Sequence, residues 1–196
     1  MAGKKRLSLP VGEGKKERAK RKLAVEVVWS DIIKVRADVL LVGHYLGVLP
    51  QTAERKLDEL VSGGSSGPLI ITELTRRAAL RGDLGEVVFF PTPDGRVVAL
   101  GGMGSVGTFR TAQVRHLTRA VGQVVGLLPA HKELATVLIG SGKGNLRIRE
   151  VATPFLEGFV EALNGNEGLH LHTVKIVERD LDRALEILAC IKDSAQ

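Results

Sequence analysis

Two glycine-rich stretches carry the strongest chemical signal in this sequence. The first to consider, Gly140-Ser141-Gly142-Lys143-Gly144-Asn145, lies between a predicted strand and a predicted helix. Glycines let neighbouring backbone N–H groups approach one point. A helix starting near Ile148 adds the positive end of its dipole, and Lys143 supplies a point charge, a combination that suits an anion such as phosphate. The plain alternative is a tight turn with Lys143 in solvent. The stretch is not a Walker A loop, because Val137 stands where that motif needs its first glycine and Gly144 follows Lys143 in place of Ser or Thr.

The second stretch, Gly101-Gly102-Met103-Gly104-Ser105-Val106-Gly107, formally satisfies G-x-G-x-x-G through Gly102, Gly104 and Gly107. A dinucleotide fingerprint opens a parallel strand–helix unit and is followed about 20 residues on by an acid. Here the preceding strand belongs to a hairpin and the next one ends at Gly140 without an acid, so the spacing argues against that reading. Among the histidines, His170 and His172 alternate along one predicted strand but lack a third ligand nearby, and they read as a solvent-facing pair. His44 falls just past a strand, near where a pocket would open, and His116 and His131 read as surface residues. No Ser-His-Asp or Cys-His spacing is present, and Cys190 sits on the apolar side of a terminal helix, as packed core.

The elements that must position these residues follow from periodicity. Ala24–Trp29 and Asp38–Gly43 are apolar, β-branched runs of the kind found in central strands. After Pro50, Gln51–Val61 places Ala53, Leu57, Leu60 and Val61 at helical spacing and stops at Ser62-Gly63-Gly64. Thr72–Leu80 predicts a short helix. Glu86–Phe90 and Arg96–Leu100 flank an Asp94-Gly95 turn signal and predict an antiparallel hairpin. A long helix over Thr111–Leu128 puts Val114, Leu117, Val121, Val124, Val125 and Leu128 on one face. Strand Ala135–Ile139, helix Ile148–Leu163, strand Leu171–Val177 and helix Asp180–Lys192 complete the chain. Such alternation predicts an α/β fold: a mixed, largely parallel sheet of about six strands with helices on both faces.

Of 196 residues, 44% are apolar and 26% charged, which excludes wholesale disorder and fibrous classes. The formal charge of +6 is unevenly spread. Nine of the 28 basic residues but only Glu13 and Glu17 among the 22 acidic ones lie in residues 1–22, leaving the remainder near neutral. That basic segment is expected to be a disordered tail, a solvated leader or a salt-sensitive contact for nucleic acid, with residues 23–196 forming the folded domain. No run approaches the roughly 18 apolar residues of a membrane span, and a single cysteine makes a reducing cytoplasmic setting the expected one.

Several of these motifs, taken in order, resemble the macrodomain family, and within it the N-terminal domain of cytosolic leucyl aminopeptidases. They are Asp38-Val39-Leu40-Leu41-Val42-Gly43, Arg81-Gly82-Asp83-Leu84-Gly85-Glu86, Val97–Gly104 leading to the helix with Arg115, and Val174-Lys175-Ile176-Val177 ahead of the last helix. The resemblance implies a three-layer fold that binds ADP-ribose or another nucleotide. By that resemblance Asp31 and Ile32 of Ser30-Asp31-Ile32 meet the adenine, and Gly140, Ser141, Gly142, Lys143, Gly144 and Asn145 form a phosphate loop. The family's catalytic asparagines would fall where this chain has Val42 and Tyr45, so the resemblance implies a noncatalytic binder that needs no metal or cofactor. The aminopeptidase catalytic half with its zinc ligands is not in this sequence, so a scaffold, regulatory or homo-oligomerisation domain is the alternative, and an ADP-ribosyl hydrolase the third.

Overall fold

The computed structural model describes residues 4–10, 22–142, 146–164 and 169–194. Seven strands form one sheet: β1 (Lys4–Pro10), β2 (Lys22–Trp29), β3 (Val39–Tyr45), β4 (Val87–Pro91), β5 (Val97–Gly104), β6 (Glu133–Thr136) and β7 (Thr173–Glu178). Their spatial order is β1-β2-β7-β6-β3-β5-β4. The five inner strands run parallel to one another, while β1 and β4 close the two edges antiparallel.

Alternation along β3 shows how the layers arise. Val39 and Leu41 enter one apolar cluster with Val114, Leu117, Phe155 and Ile187, while Leu40 and Val42 enter the other with Leu57 and Ile71. Helices α3 (Thr111–Gly126), α4 (Ile148–Asn164) and α5 (Leu181–Ser194) therefore cover one face, and α1 (Thr52–Val61) and α2 (Ile70–Arg76) the other. A strand buried on both faces reads as an unbroken apolar run, and each such side chain contributes about 1.5–3 kcal/mol on burial. The closest helix contact is between α3 and α4. A Cβ on Gly158 would lie 2.0 Å from Thr118 Oγ1 and 2.4 Å from the Arg115 carbonyl, so only glycine lets these backbones meet.

The predicted mixed, largely parallel sheet with helices on both faces is observed, with local differences. Residues 1–22 were expected to be a disordered tail, yet Lys4–Pro10 pair with β2 from Lys4 opposite Val28 to Pro10 opposite Lys22. Basic residues hide this from a charge count, because edge strands tolerate Lys and a terminal Pro while the partner edge supplies the hydrogen bonds. Residues 11–21 lie outside the described ones. Helix α2 starts two residues earlier than expected and ends before Ala78, whose φ is +53°. Val124 and Leu128 are 36% and 41% exposed, because the buried stripe of α3 runs through Val114, Leu117, Val121 and Val125. Strand β6 spans Glu133–Thr136 in place of 135–139. Among the described residues, no helix is long and apolar enough to cross a membrane.

Candidate functional site

At the carboxyl ends of β3, β5, β6 and β7 the sheet opens into a cavity of about 390 Å³, walled by Tyr45, Glu54, Met103, Gly140 and Arg183 among others. Beside it lies a smaller cavity of about 180 Å³ around Asp31 and Lys56. Both are lined by Thr52, Ala53, Val137 and Glu178, so they are two lobes of one cleft. This is where an open α/β sheet places its ligands.

The first three residues of the glycine loop, Gly140–Gly142, border the larger lobe. After β6 the chain turns through Val137–Ile139, and Gly140 adopts φ +96°, a conformation that disfavours any side chain. Gly140, Ser141 and Gly142 all line the cavity. The Ser141 N–H is turned back onto the Leu138 carbonyl (3.1 Å), as is its hydroxyl (2.8 Å). Lys143, Gly144 and Asn145 lie outside the described residues.

Asp31 lies in the smaller lobe as the cap of a 3-10 turn over Ile32–Lys34. Its Oδ1 accepts the Ile33 N–H at 3.4 Å, and its Oδ2 accepts from Lys56 Nζ with Arg179 Nε at 3.7 Å. Partial burial pushes the carboxyl pKa up, but the Lys56 hydrogen bond, the Ile33 N–H and the two positive charges outweigh it and hold it below its ordinary value. Ile32 is buried and lines the same lobe. The cleft thus brings Asp31, Ile32 and Gly140–Gly142 together.

A second buried polar pair includes Glu54, which lines the larger lobe. His44, fully buried at the end of β3, is hydrogen-bonded to Glu54, with 2.5 Å between Nδ1 and Oε1. Burial raises the Glu54 pKa, His44 opposes the shift, and the Asp58 charge adds to it. His44 Nε2 has no partner among the described residues. Asp58 anchors α1 to α2 by accepting the Ile71 and Thr72 N–H groups at 2.8 and 2.9 Å and the Thr72 hydroxyl at 2.7 Å. Tyr45 packs edge-to-face on Phe109, and burial raises its phenol pKa against the opposing Arg110 charge.

Residues 101–107 serve packing. A Cβ on Gly102 would fall 1.9 Å from the Asp83 carbonyl oxygen, while Gly85 donates to the Gly102 carbonyl at 3.0 Å. Those glycines therefore seat the 82–86 segment against β5, and of this stretch only Met103 and Val106 reach the cavity. His170 and His172 precede the amino end of β7, away from the cleft and outside any strand. Among the described residues, no group of three His, Cys, Asp or Glu side chains could hold a metal ion.

The sequence reading did not single out Glu54, Lys56, Glu178, Arg179 or Arg183, all of which line the cleft. A signal existed for two of them. Arg179 and Arg183 stand four apart, immediately after the carboxyl end of β7, where such clefts open.

No protein-family model and no curated protein matches the chain. Solved structures do. An Oceanobacillus iheyensis macrodomain with ADP superimposes with a TM-score of 0.68 at 14% identity, over 98% of this chain and 95% of that one. The chain has the macrodomain fold. A Trypanosoma brucei macrodomain in complex with ADP-ribose gives 0.65 at 13% identity, over 88% and 69%. The bottromycin maturation enzyme BotP, in complex with Mn, gives 0.50 at 26% identity, over 80% of this chain but 30% of that one.

Proposed function

We propose that this macrodomain-fold chain is a noncatalytic module that binds ADP-ribose or a related nucleotide. The observation that carries the reading is the continuity of the cleft from Asp31 to Gly140–Gly142. Asp31 accepts from the adenine amino group beside Ile32, and the Gly140–Gly142 turn, extended in sequence by Lys143, Gly144 and Asn145, receives the diphosphate. The fold's likeness to macrodomains with ADP and ADP-ribose supports the choice of ligand. Val42 and Tyr45 support a binder over a hydrolase, since neither is an amide that could orient a ribose or a water.

The test is thermal unfolding with ADP-ribose, ATP and inorganic phosphate. A ligand at 100 times its Kd stabilises the fold by about 2.7 kcal/mol. Stabilisation by ADP-ribose above that by phosphate is expected, and product release from an ADP-ribosylated peptide would overturn the noncatalytic part. A second reading, a scaffold or regulatory domain akin to the noncatalytic half of leucyl aminopeptidases, draws on the BotP match, in which this fold accounts for 30% of an enzyme's chain. No stabilisation by any of the three ligands favours it. A reducing cytoplasmic setting fits the single Cys190, whose thiol pKa burial pushes up.

A further inference from the structure

Beside Gly140–Gly142 the cleft holds a cation from outside the glycine loop. Arg183 reaches in from the first turn of α5, where its Nη2 donates to the Ser141 carbonyl at 3.0 Å and to the Ser141 hydroxyl oxygen at 3.3 Å. Its Nε donates to Glu178 Oε2 at 3.0 Å. Glu178 is itself fixed, because its Oε1 accepts the Arg179 and Asp180 N–H groups at 2.7 and 3.1 Å. The guanidinium is thus locked at the cavity wall before any ligand arrives. The side chain is 40% exposed and lines the cavity. A planar fork held in place by its other nitrogens is the group best suited to phosphate oxygens, and it loses little rotamer freedom on binding.

We propose that Arg183 is a cationic element of the phosphate subsite, and that through it the cleft selects ligands bearing a diphosphate over neutral nucleosides. The proposal rests on the nucleotide reading above and deepens it. Glu178 orients the guanidinium through Oε2 while the Arg179 and Asp180 N–H groups hold its other oxygen.

Calorimetric titration of wild type, Arg183→Gln and Arg183→Lys with ADP-ribose, adenosine and inorganic pyrophosphate tests this. Arg183→Gln should weaken ADP-ribose and pyrophosphate by about ten- to a hundred-fold while leaving adenosine unchanged, the loss expected for a charged hydrogen bond. Arg183→Lys, which keeps the charge without the fork, should recover part of that loss. Melting curves of both variants confirm that they are folded, and the lysine variant stands in if the glutamine one is not. Unchanged ADP-ribose affinity in Arg183→Gln overturns the proposal, as does an equal loss for ADP-ribose and adenosine, which would mean that Arg183 only braces the loop. If wild type binds pyrophosphate through Arg183 but not ADP-ribose, the nucleotide reading falls and the anion subsite stands. If it binds neither, both fall.

Discussion

The two ends of the parallel strands use the same charged residue types in opposite ways. At the amino ends, cations are spent on the backbone. Arg96 Nη1 donates to the Ile33 and Val35 carbonyls at 3.1 and 3.3 Å, buried Lys175 donates to the Arg36 carbonyl at 2.7 Å and to Glu133 at 2.6 Å, and Asp38 accepts the Lys132 and Glu133 N–H groups. These contacts tie the 33–38 segment to β5, β6 and β7. At the carboxyl ends, Lys56, Arg179 and Arg183 bond to carboxylates and a loop carbonyl along the wall of a cavity. The amino-end cations bond chiefly to the backbone of one segment, 33–36, whereas the carboxyl-end cations pair chiefly with the carboxylates of Asp31 and Glu178 along the wall of the cleft.

The largest expected effect comes from breaking the amino-end lock. Lys175→Met leaves the Arg36 carbonyl without its donor, and should lower stability by about 2 kcal/mol with nucleotide affinity unchanged once the variant is folded. Chemical denaturation and a ligand titration on one sample check both halves. On the cleft side the order should reverse: Asp31→Ala should weaken ADP-ribose by about tenfold or more. Its stability cost should be within about 1 kcal/mol, because the Asp31–Lys56 pair is partly exposed.

A smaller effect separates two carboxyls within the cleft by the sign of their pH dependence. Asp31 has a depressed pKa in the fold, so its contribution is present above the ordinary aspartate value and is lost as pH falls through the folded one. Glu54 has a raised pKa, so the fold loses stability as pH rises from the ordinary glutamate value through the folded one. Melting curves of Glu54→Gln should lack that second decline, and a variant that declines like wild type would place the titration elsewhere. The smallest effect is expected for Arg115→Ala, an exposed ion pair with Glu161, whose melting temperature should scarcely move at moderate salt.

Much of the scaffold was legible because it is local. The unbroken run over Asp38–Gly43 announced a strand buried on both faces, the stripe of Ala53, Leu57, Leu60 and Val61 announced α1, and Asp94-Gly95 announced the hairpin whose Gly95 has φ +83°. Gly140–Gly142 were legible as a glycine-rich loop between strand and helix, Asp31 and Ile32 came from family resemblance alone, and the structure sets them along one cleft. What escaped depends on distance through space. Lys56 meets Asp31 across 25 positions and Arg183 meets Ser141 across 42, and no period in the chain encodes either contact. Strand β1 escaped because its pairing is decided by the open edge of β2. The spacing of the glycines at 101–107 argued against a dinucleotide fingerprint, and the close approach of Gly102 to Asp83 supplies the packing reason for a glycine there.

The central claim is that a nucleotide occupies both lobes at once. Trp29, the chain's single tryptophan, reports on the Asp31 lobe, since its indole N–H donates to the Arg179 carbonyl at 2.9 Å. The Gly140 and Gly142 amides report on the other. In a ¹⁵N-edited NMR titration with ADP-ribose, the Trp29 indole signal and both glycine amides should shift together and saturate at one ligand equivalent. Saturable shifts elsewhere with these three signals unmoved, or no shifts at all, would contradict the account.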